Sequence, residues 1–304
     1  MIIDANALIH RAYHAVPPTI KDSEGRVSNA VYGFINMIIG LLTEEKPVFI
    51  ASAFDHKGPT FRDELYSEYK STRVKTDDFL IQQFPRIREL LEAFGLGIYE
   101  EEGLEADDFL GLVSVEVLRM RPNTEILVVT GDKDAFQLVN DCVTVGTPVS
   151  GAVFLKKYSA TDVKEKMGVW PDQIPDYKAL AGDSSDHILG VPGVGAKTAV
   201  SLLSKFPTLD EIYKNLDKVE SPRIRELLRT HEADARLCLV LATIAKDMPV
   251  KVNLHDLKVS SLNPKQAITL MRKWGFKTPV ARMEKLFQIK APTPTPSEGQ
   301  ASLF

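Results

Sequence analysis

The sequence of 304 residues is poor in cysteine, and its two cysteines, Cys142 and Cys238, show no pairing pattern. We therefore expect neither a disulfide scaffold nor a zinc site, and a reducing cytoplasm is the expected location. The six histidines form no HExxH pattern, and no Ser/His/Asp or Cys/His arrangement indicates a covalent nucleophile. Long apolar runs are also missing, so neither a signal peptide nor a membrane span is predicted.

An excess of positive charge is missing as well, because 37 basic side chains stand against 41 acidic ones. The resulting net charge of −4 argues weakly against a nucleic-acid partner, provided that the acids are spread over the surface. Nine acids are assigned below to a metal site, and without them 37 basic side chains face 32 acidic ones, an excess of +5. The net charge therefore does not exclude DNA.

What the sequence does contain is a regular alternation of short apolar runs and helical patterns in its first half. Hydrophobic residues make up 44% of the chain, enough for a sizeable core. This order predicts an α/β fold, Rossmann-like, with a mostly parallel sheet flanked by helices. The predicted strands cover 2–3, 48–54, 97–99 and 125–130, and the predicted helices cover 29–42, 84–94 and 104–118.

The second half has a different character, with helical patterns broken by Gly and Pro. We predict helices over 160–167, 175–181, 196–205, 209–216 and 232–244. The final segment, APTPTPSEGQASLF, is too rich in Pro and small polar residues to bury itself and is expected to be disordered. The predicted regions are an α/β core over 1–157, a helical region over 158–290 and a tail over 291–304.

The strongest signal is the position of the acidic residues. In an open α/β sheet, ligands bind where the carboxyl ends of the parallel strands meet. Two like charges about 4 Å apart repel by roughly 4 kcal/mol at an effective dielectric near 20, so a carboxylate cluster needs cations. Nine carboxylates follow a strand, begin a helix or precede a Gly-rich turn: Asp4, Asp55, Glu105, Asp107, Asp108, Asp132, Asp134, Asp183 and Asp186.

Ligands that are all oxygen select Mg²⁺ or Mn²⁺ over zinc, and a cluster of this size suits two ions. Two such ions are typical of phosphodiester hydrolysis, where they activate water and stabilise the leaving oxygen. The alternative for any single acid is a structural one. Glu105 or Asp107, for example, would also serve as an N-terminal helix cap.

Two further segments predict contacts with DNA. The sequence LGVPGVGAKTA places Gly190, Gly193 and Gly195 before a helix that begins with Ala196, which is typical of a helix–hairpin–helix that holds a phosphate without reading sequence. A dinucleotide site is the rival interpretation of this Gly pattern, but it requires a preceding strand, and the segment before these glycines has a helical pattern.

The second segment, KGPTFRDELYSEYKSTRVK, follows Asp55 directly and is expected to form a helical arch over the metal site from about 57 to 82. Its cations would bind phosphates, and a tyrosine would stack on an unpaired base. The alternative is a solvated amphipathic helix, because interspersed acids dilute the charge. The basic and aromatic residues of this predicted arch are Lys57, Phe61, Arg62, Tyr66, Tyr69, Lys70, Arg73 and Lys75.

Taken together, the motifs DANALIHRAY, FDHKGPTFRDELYSEYKSTR, EADD, TGDKDAFQLV and AGDSSDHILGVPGVGAKTA resemble those of a known family. It is the 5′-nuclease domain at the N-terminus of bacterial DNA polymerase I, with its free-standing bacterial and phage relatives, and flap endonucleases share the fold. The resemblance covers residues 1–285 and implies a PIN-like sheet domain followed by a helix–three-turn–helix. Since a polymerase domain would need hundreds more residues, we expect a free-standing nuclease or an excised fragment.

The resemblance also implies roles for individual residues. Asp4, Asp55, Glu105 and Asp107 would surround a first metal with Asp108 beside it, and the remaining four acids would surround a second. Lys70 would lie near the scissile phosphate, with Arg62 and Arg73 as further basic arch residues that neutralise developing charge. The hairpin would hold duplex DNA with the help of K⁺. The DNA-binding set is Tyr69, Lys75, Gly190, Gly193, Gly195, Lys197 and Thr198.

This sequence departs from the family pattern at three positions. Ala5 follows Asp4 where Gly is common, Phe136 stands where some members have Tyr, and His187 replaces a frequent Asn. None of these changes removes a carboxylate. The tail ends in QASLF, which resembles the peptide that docks bacterial replication proteins on the sliding clamp, with Gln300, Leu303 and Phe304 as its contacts. A chance match in a disordered tail is the alternative.

The predicted function is therefore that of a structure-specific 5′-3′ exonuclease and 5′-flap endonuclease that uses two Mg²⁺ or Mn²⁺ ions. The expected setting is Okazaki-fragment processing, replication and repair, by a cytoplasmic, nucleoid-associated monomer. Two alternatives remain: a non-catalytic protein that binds branched DNA with the same fold, and a ribonuclease of the related PIN-like fold. The second would usually be shorter and lack the helix–hairpin–helix.

Overall fold

The computed structural model of the chain describes residues 1–149 and 154–289. The first half alternates strands and helices as the sequence predicts, and it has in addition a helix directly after the first strand and a final strand pair. Its elements are β1 (Ile2–Asp4), α1 (Ala5–Ala15), α2 (Asn29–Glu45), β2 (Ala51–Ala53), α3 (Phe61–Leu65), α4 (Asp78–Ile81), α5 (Phe84–Phe94), β3 (Gly97–Tyr99), α6 (Ala106–Met120), β4 (Ile126–Val129), β5 (Val143–Pro148) and β6 (Leu155–Tyr158).

The second half is helical, and several of its helices begin at a polar cap or a proline. Ser159 and Asp162 form a reciprocal capping box on the first helix, and Pro264 occupies the first turn of a later one. The helices are α7 (Ala160–Met167), α8 (Ile174–Ala181), α9 (Ala196–Lys205), α10 (Leu209–Lys214), α11 (Pro222–Thr230), α12 (Glu232–Ala242), α13 (Pro264–Lys273) and α14 (Lys277–Leu286). None of the described helices has the length and apolarity to cross a membrane.

The strands form one six-stranded sheet in the order β3-β2-β1-β4-β5-β6. All neighbouring strands are parallel except β5 and β6, which are antiparallel. The predicted mostly parallel sheet followed by a helical region is thus confirmed. Because β1, β2 and β4 run in the same direction, the residues that follow them emerge at one edge of the sheet.

The two faces of the sheet bury separate apolar cores. Side chains alternate across a strand, so Ile3 joins the core under α1, α2 and α5, whereas Ile2 joins the core under α6 and the helical region. The helices α13 and α14 pack back on α5 and α2, and the backbone N–H of Asn263 donates to the Phe94 carbonyl at 2.7 Å. By packing, therefore, residues 264–286 belong with the sheet rather than with the helices that precede them.

Candidate metal centre and nucleic-acid interface

The ends of β1 and β2 hold the first two acids in fixed positions. Asp4 is buried and caps α1, since it accepts from the Ala7 N–H at 2.9 Å and from the Thr130 hydroxyl at 2.7 Å. Asp55 accepts from the Ala106 N–H at 2.8 Å, which ties the end of β2 to the start of α6. The sheet thereby brings together carboxylates that are about 50 and 100 positions apart in sequence.

The start of α6 contains three acids with different environments. Glu105 caps the helix in a capping box with Asp108, whose carboxylate accepts from the Glu105 N–H at 3.0 Å. The capping interpretation therefore holds for Glu105, and its partner is Asp108. Asp107 differs, because its Oδ1 is buried and has no hydrogen-bond partner among the described residues. Burial, followed by the negative charges of Asp132 and Asp4, raises the pKa of Asp107 well above its usual value.

A second group of acids lies beyond β4. Carboxylate oxygens of Asp134, Asp183 and Asp186 all lie within 4.8 Å of one another. Asp134 begins a short 3₁₀ turn, and its N–H donates to the Asp132 carboxylate at 2.9 Å. Burial is the main reason that the pKa of Asp134 rises to about 6, as does that of Asp4.

Lys178, which sequence reasoning missed, lies between two acids of this second group. Its ammonium contacts the carboxylate of Asp134 and lies 2.5 Å from that of Asp183. The side chain is buried on α8, and these two acids raise its pKa against the opposing effect of burial. The available signal was a lysine on an otherwise apolar helix face, since a buried ammonium requires acidic partners.

The predicted arch contains little helix, because α3 and α4 are its only helical segments within residues 57–82. Its central turn reaches the acids: the Lys70 ammonium contacts Glu105, and Arg73 donates to Asp186 at 2.5 Å. Lys75 is exposed and lies 3.6 Å from the Asp78 carboxylate. Of these three cations, Lys70 and Arg73 contact acids of the metal centre, and Lys75 does not.

Two arch residues have other roles than the sequence indicated. Tyr69 is buried, and its hydroxyl lies 3.1 Å from Glu105 and 3.4 Å from Asp186, so its ring has no open face for a base to stack on. Arg62 is also buried and makes a bidentate ion pair with Asp108, with both hydrogen bonds at 2.8 Å. We therefore remove Arg62 from the catalytic set, Asp108 from the metal ligands, and Tyr69 from base stacking.

The helix–hairpin–helix consists of α8, the Gly-rich turn and α9. Gly190 and Gly193 have φ values of +68° and +83°, a left-handed region that favours glycine. The Val191 N–H donates to the Leu180 carbonyl at 2.9 Å, which closes the turn against α8. Gly195 and Lys197 are exposed at the first turn of α9, and Thr198 is half-buried, so this helix end is open to a phosphate.

The chemistry and the environment of the acidic residues suit hard divalent cations. The donors are carboxylate oxygens, and one of them is buried without a hydrogen-bond partner in residues 1–149 and 154–289. Burial and mutual repulsion raise the pKa of Asp4 and Asp107. Cations among them would remove that repulsion. The predicted clamp-binding residues Gln300, Leu303 and Phe304 lie outside the described residues.

Two protein-family models match consecutive parts of the chain. Residues 1–168 match the N-terminal resolvase-like domain of 5′-3′ exonucleases, and residues 169–266 match the C-terminal SAM fold of the same proteins. DNA polymerase I of Caldicellulosiruptor bescii is 41% identical over 289 residues, which cover 93% of this chain. They make up 33% of the polymerase, so the chain spans about a third of the length of this relative.

Solved structures share the fold at low sequence identity. The bacteriophage T5 D15 protein co-crystallised with metal ions has a TM-score of 0.65 at 20% identity, with 96% of this chain and 99% of that chain covered. The T5 D15 flap endonuclease in a pseudo-enzyme–product complex with DNA and metal ions has a TM-score of 0.63, also at 20% identity, with 95% and 97% covered. The matched domains together span residues 1–266, and the chain belongs to the 5′-3′ exonuclease family.

Proposed function

We propose that this chain is a divalent-metal-dependent 5′-3′ exonuclease and 5′-flap endonuclease acting on DNA. The observation that carries the proposal is the proximity of the two acidic groups at one sheet edge, where the Lys70 ammonium contacts Glu105 and the Arg73 guanidinium contacts Asp186. The proposed ligands of the first ion are Asp4, Asp55, Glu105 and Asp107. Those of the second are Asp132, Asp134, Asp183 and Asp186.

When bound there, Mg²⁺ or Mn²⁺ would activate water and neutralise charge on the phosphate and the leaving 3′-oxygen. The chain's own cations complete the site. Lys70 and Arg73 are tied to Glu105 and Asp186, which are proposed ligands, so a phosphate placed at the ions lies within their reach. They would stabilise the negative charge that develops on the phosphoryl oxygens. Hydrolysis would leave 5′-phosphates.

The substrate would be held at two places. The hairpin glycines and the first turn of α9, with Lys197 and Thr198, would bind the backbone of a duplex, with K⁺ as an additional proposed ligand. The arch would hold the single-stranded 5′ end, with Lys75 as an exposed phosphate contact. Sequence would not be read at either place, so junction shape and a 5′ end define the substrate.

A direct test uses labelled 5′-flap and nicked duplexes, incubated first with Mg²⁺ and then with excess EDTA. We expect cutting one step inside the junction, stopped by EDTA and restored by added Mg²⁺. If the protein binds the flap substrate but leaves it uncut with Mg²⁺ or Mn²⁺, the chain is the non-catalytic binding protein instead. An RNA 5′ segment in a parallel substrate tests the choice between RNA and DNA.

On the basis of the sequence alone, we further propose that the protein is a monomer and that it acts in the cytoplasm, near the nucleoid. Roles in Okazaki-fragment processing, replication and repair follow from the proposed substrate, and docking on a sliding clamp depends on Gln300, Leu303 and Phe304. A pull-down of the sliding clamp with the full chain, compared with a Leu303→Ala/Phe304→Ala variant, tests the docking.

A further inference from the structure

The loop of residues 183–188, here called the ligand loop, supports the arch through contacts that the proposed chemistry does not use. It is a closed unit, because Asp183 and Ile188 exchange backbone hydrogen bonds at 2.7 and 2.8 Å. It continues directly into the hairpin that begins at Gly190. The ligand loop therefore joins two parts of the molecule: acids of the metal centre and the surface proposed to hold duplex DNA.

Residues 66–71 of the arch, here called the arch turn, rest on this loop. The Lys70 N–H donates to the Asp186 carbonyl at 2.9 Å. The His187 Nδ1 lies 2.9 Å from both the Glu68 carbonyl and the Ser71 hydroxyl. In either neutral tautomer the ring makes one of these bonds, as donor to the carbonyl or as acceptor from the hydroxyl. The contact is thus retained whichever nitrogen carries the proton.

The backbone at this contact is unusual on both sides. His187 has a φ of +57° and Lys70 has a φ of +54°, in the left-handed region that non-Gly residues seldom adopt. A residue is held in that region when the surrounding contacts over-determine it. The ring contacts of His187 and the backbone bond of Lys70 supply such contacts, so the two strained residues support each other.

We propose that His187 is a positioning residue, which fixes the arch turn on the ligand loop and so holds Lys70 over the acids. The proposal rests on the nuclease function above and names a residue outside the metal ligands that would keep Lys70 in place.

Hydrogen exchange of the whole chain, without DNA or metal, tests the contact itself. His187→Gly adopts the left-handed backbone without strain and removes the ring. His187→Asn replaces the ring with a polar amide side chain, and Asn also tolerates the left-handed backbone. His255→Asn, at an exposed histidine elsewhere, is the control. We expect His187→Gly to speed exchange in residues 66–73 roughly tenfold, with the sheet amides unchanged and Asn restoring most of the protection.

Flap cutting with Mg²⁺ supplies the second readout. For His187→Gly we expect kcat to fall roughly tenfold, with recovery in His187→Asn and unchanged binding of a plain duplex. Unchanged exchange in residues 66–73, or an equal increase in the sheet, would overturn the positioning role. A wild-type protein that cuts no flap would instead overturn the nuclease function, and the exchange result would still decide the contact.

Discussion

Arg62 and Asp108 form a bidentate ion pair, with both hydrogen bonds at 2.8 Å and both side chains shut off from solvent. Arg62 also donates to the carbonyls of Leu241 and Thr243, at 2.9 and 2.8 Å, and thereby caps the end of α12. With a contact to Glu105 at 3.3 Å, its five N–H donors are all used. The pair therefore fastens the arch and the helical region to α6.

Loss of this ion pair should lower the stability of the fold and should not remove a charge that acts in catalysis. We expect Arg62→Ala to lower the free energy of unfolding by about 3–5 kcal/mol, because it leaves a buried carboxylate without its partner. Arg229→Ala is the matched variant, since Arg229 and its partner Glu226 are both exposed and its loss should cost about 1 kcal/mol or less. Urea unfolding without metal measures both. A stable Arg62→Ala protein that cuts slowly would return Arg62 to the catalytic set.

Replacement of a metal ligand should separate stability from activity. Asp107→Asn removes a charge whose raised pKa shows that the metal-free fold disfavours it, so the metal-free protein should melt at a higher temperature. Flap cutting should fall at least roughly a hundredfold, and the rise in Tm that Mn²⁺ causes should shrink. Asp132→Asn should lose cutting in the same way. Full activity in either variant would contradict the proposed ligand set.

The metal-free protein should become less stable as the pH rises from about 4 to about 6. Burial raises the pKa of Asp4 and Asp134 from 3.8 to about 6, so in this range the folded protein binds more protons than the unfolded chain. The loss from these two groups should be on the order of a few kcal/mol. Urea midpoints in EDTA at pH 5 and pH 7 measure it, and equal midpoints would count against the burial of these charges.

Lys178 should stabilise the metal-free protein more than a surface lysine does. Its ammonium is the buried partner of two acids, so Lys178→Met should lower the free energy of unfolding by about 3 kcal/mol. Lys205→Met, which breaks an exposed pair with Glu220, should cost about 1 kcal/mol or less. Mn²⁺ should then raise the Tm of the Lys178 variant more than that of the wild type, as measured by thermal unfolding. An equal rise in Tm for both proteins would contradict the expectation that Lys178 compensates the negative charge of the two acids when no metal is bound.

The hairpin should tolerate a methyl group at one glycine and not at another. At Gly190 a Cβ would lie 2.3 Å from the Gly182 nitrogen, and φ is +68°, so Gly190→Ala should distort the hairpin and weaken duplex binding at least roughly tenfold. Gly195 has a φ of −92° and open space around it, so Gly195→Ala should change stability by about 1 kcal/mol or less. Duplex-binding isotherms and unfolding curves test both variants. Duplex binding and stability in Gly190→Ala equal to those of the wild type would contradict the close approach of Gly190 to Gly182.

Sequence reasoning anticipated the sheet and the positions of its acids because both depend on local patterns. The apolar run Ile126–Val129 and the acids that follow it are contiguous, and parallel strands place their ends together whatever lies between them. The reasoning failed where a partner comes from far along the chain. The acceptors of Arg62 at Leu241 and Thr243 are 179 and 181 positions away, and no local pattern indicates them.

The sequence by itself determined which chemistry is available: carboxylates at strand ends, cations in the segment after β2, and glycines at a helix start, each specified by neighbouring residues. Only the tertiary structure decided how those groups are used. It buries Asp108 and Tyr69 against partners and brings Lys178 between two acids. It also leaves one buried oxygen of Asp107 without a hydrogen-bond partner in the part of the chain that the structure describes. The physical reason is that the cost of burying a charge depends on which partner reaches it, and long-range packing places that partner.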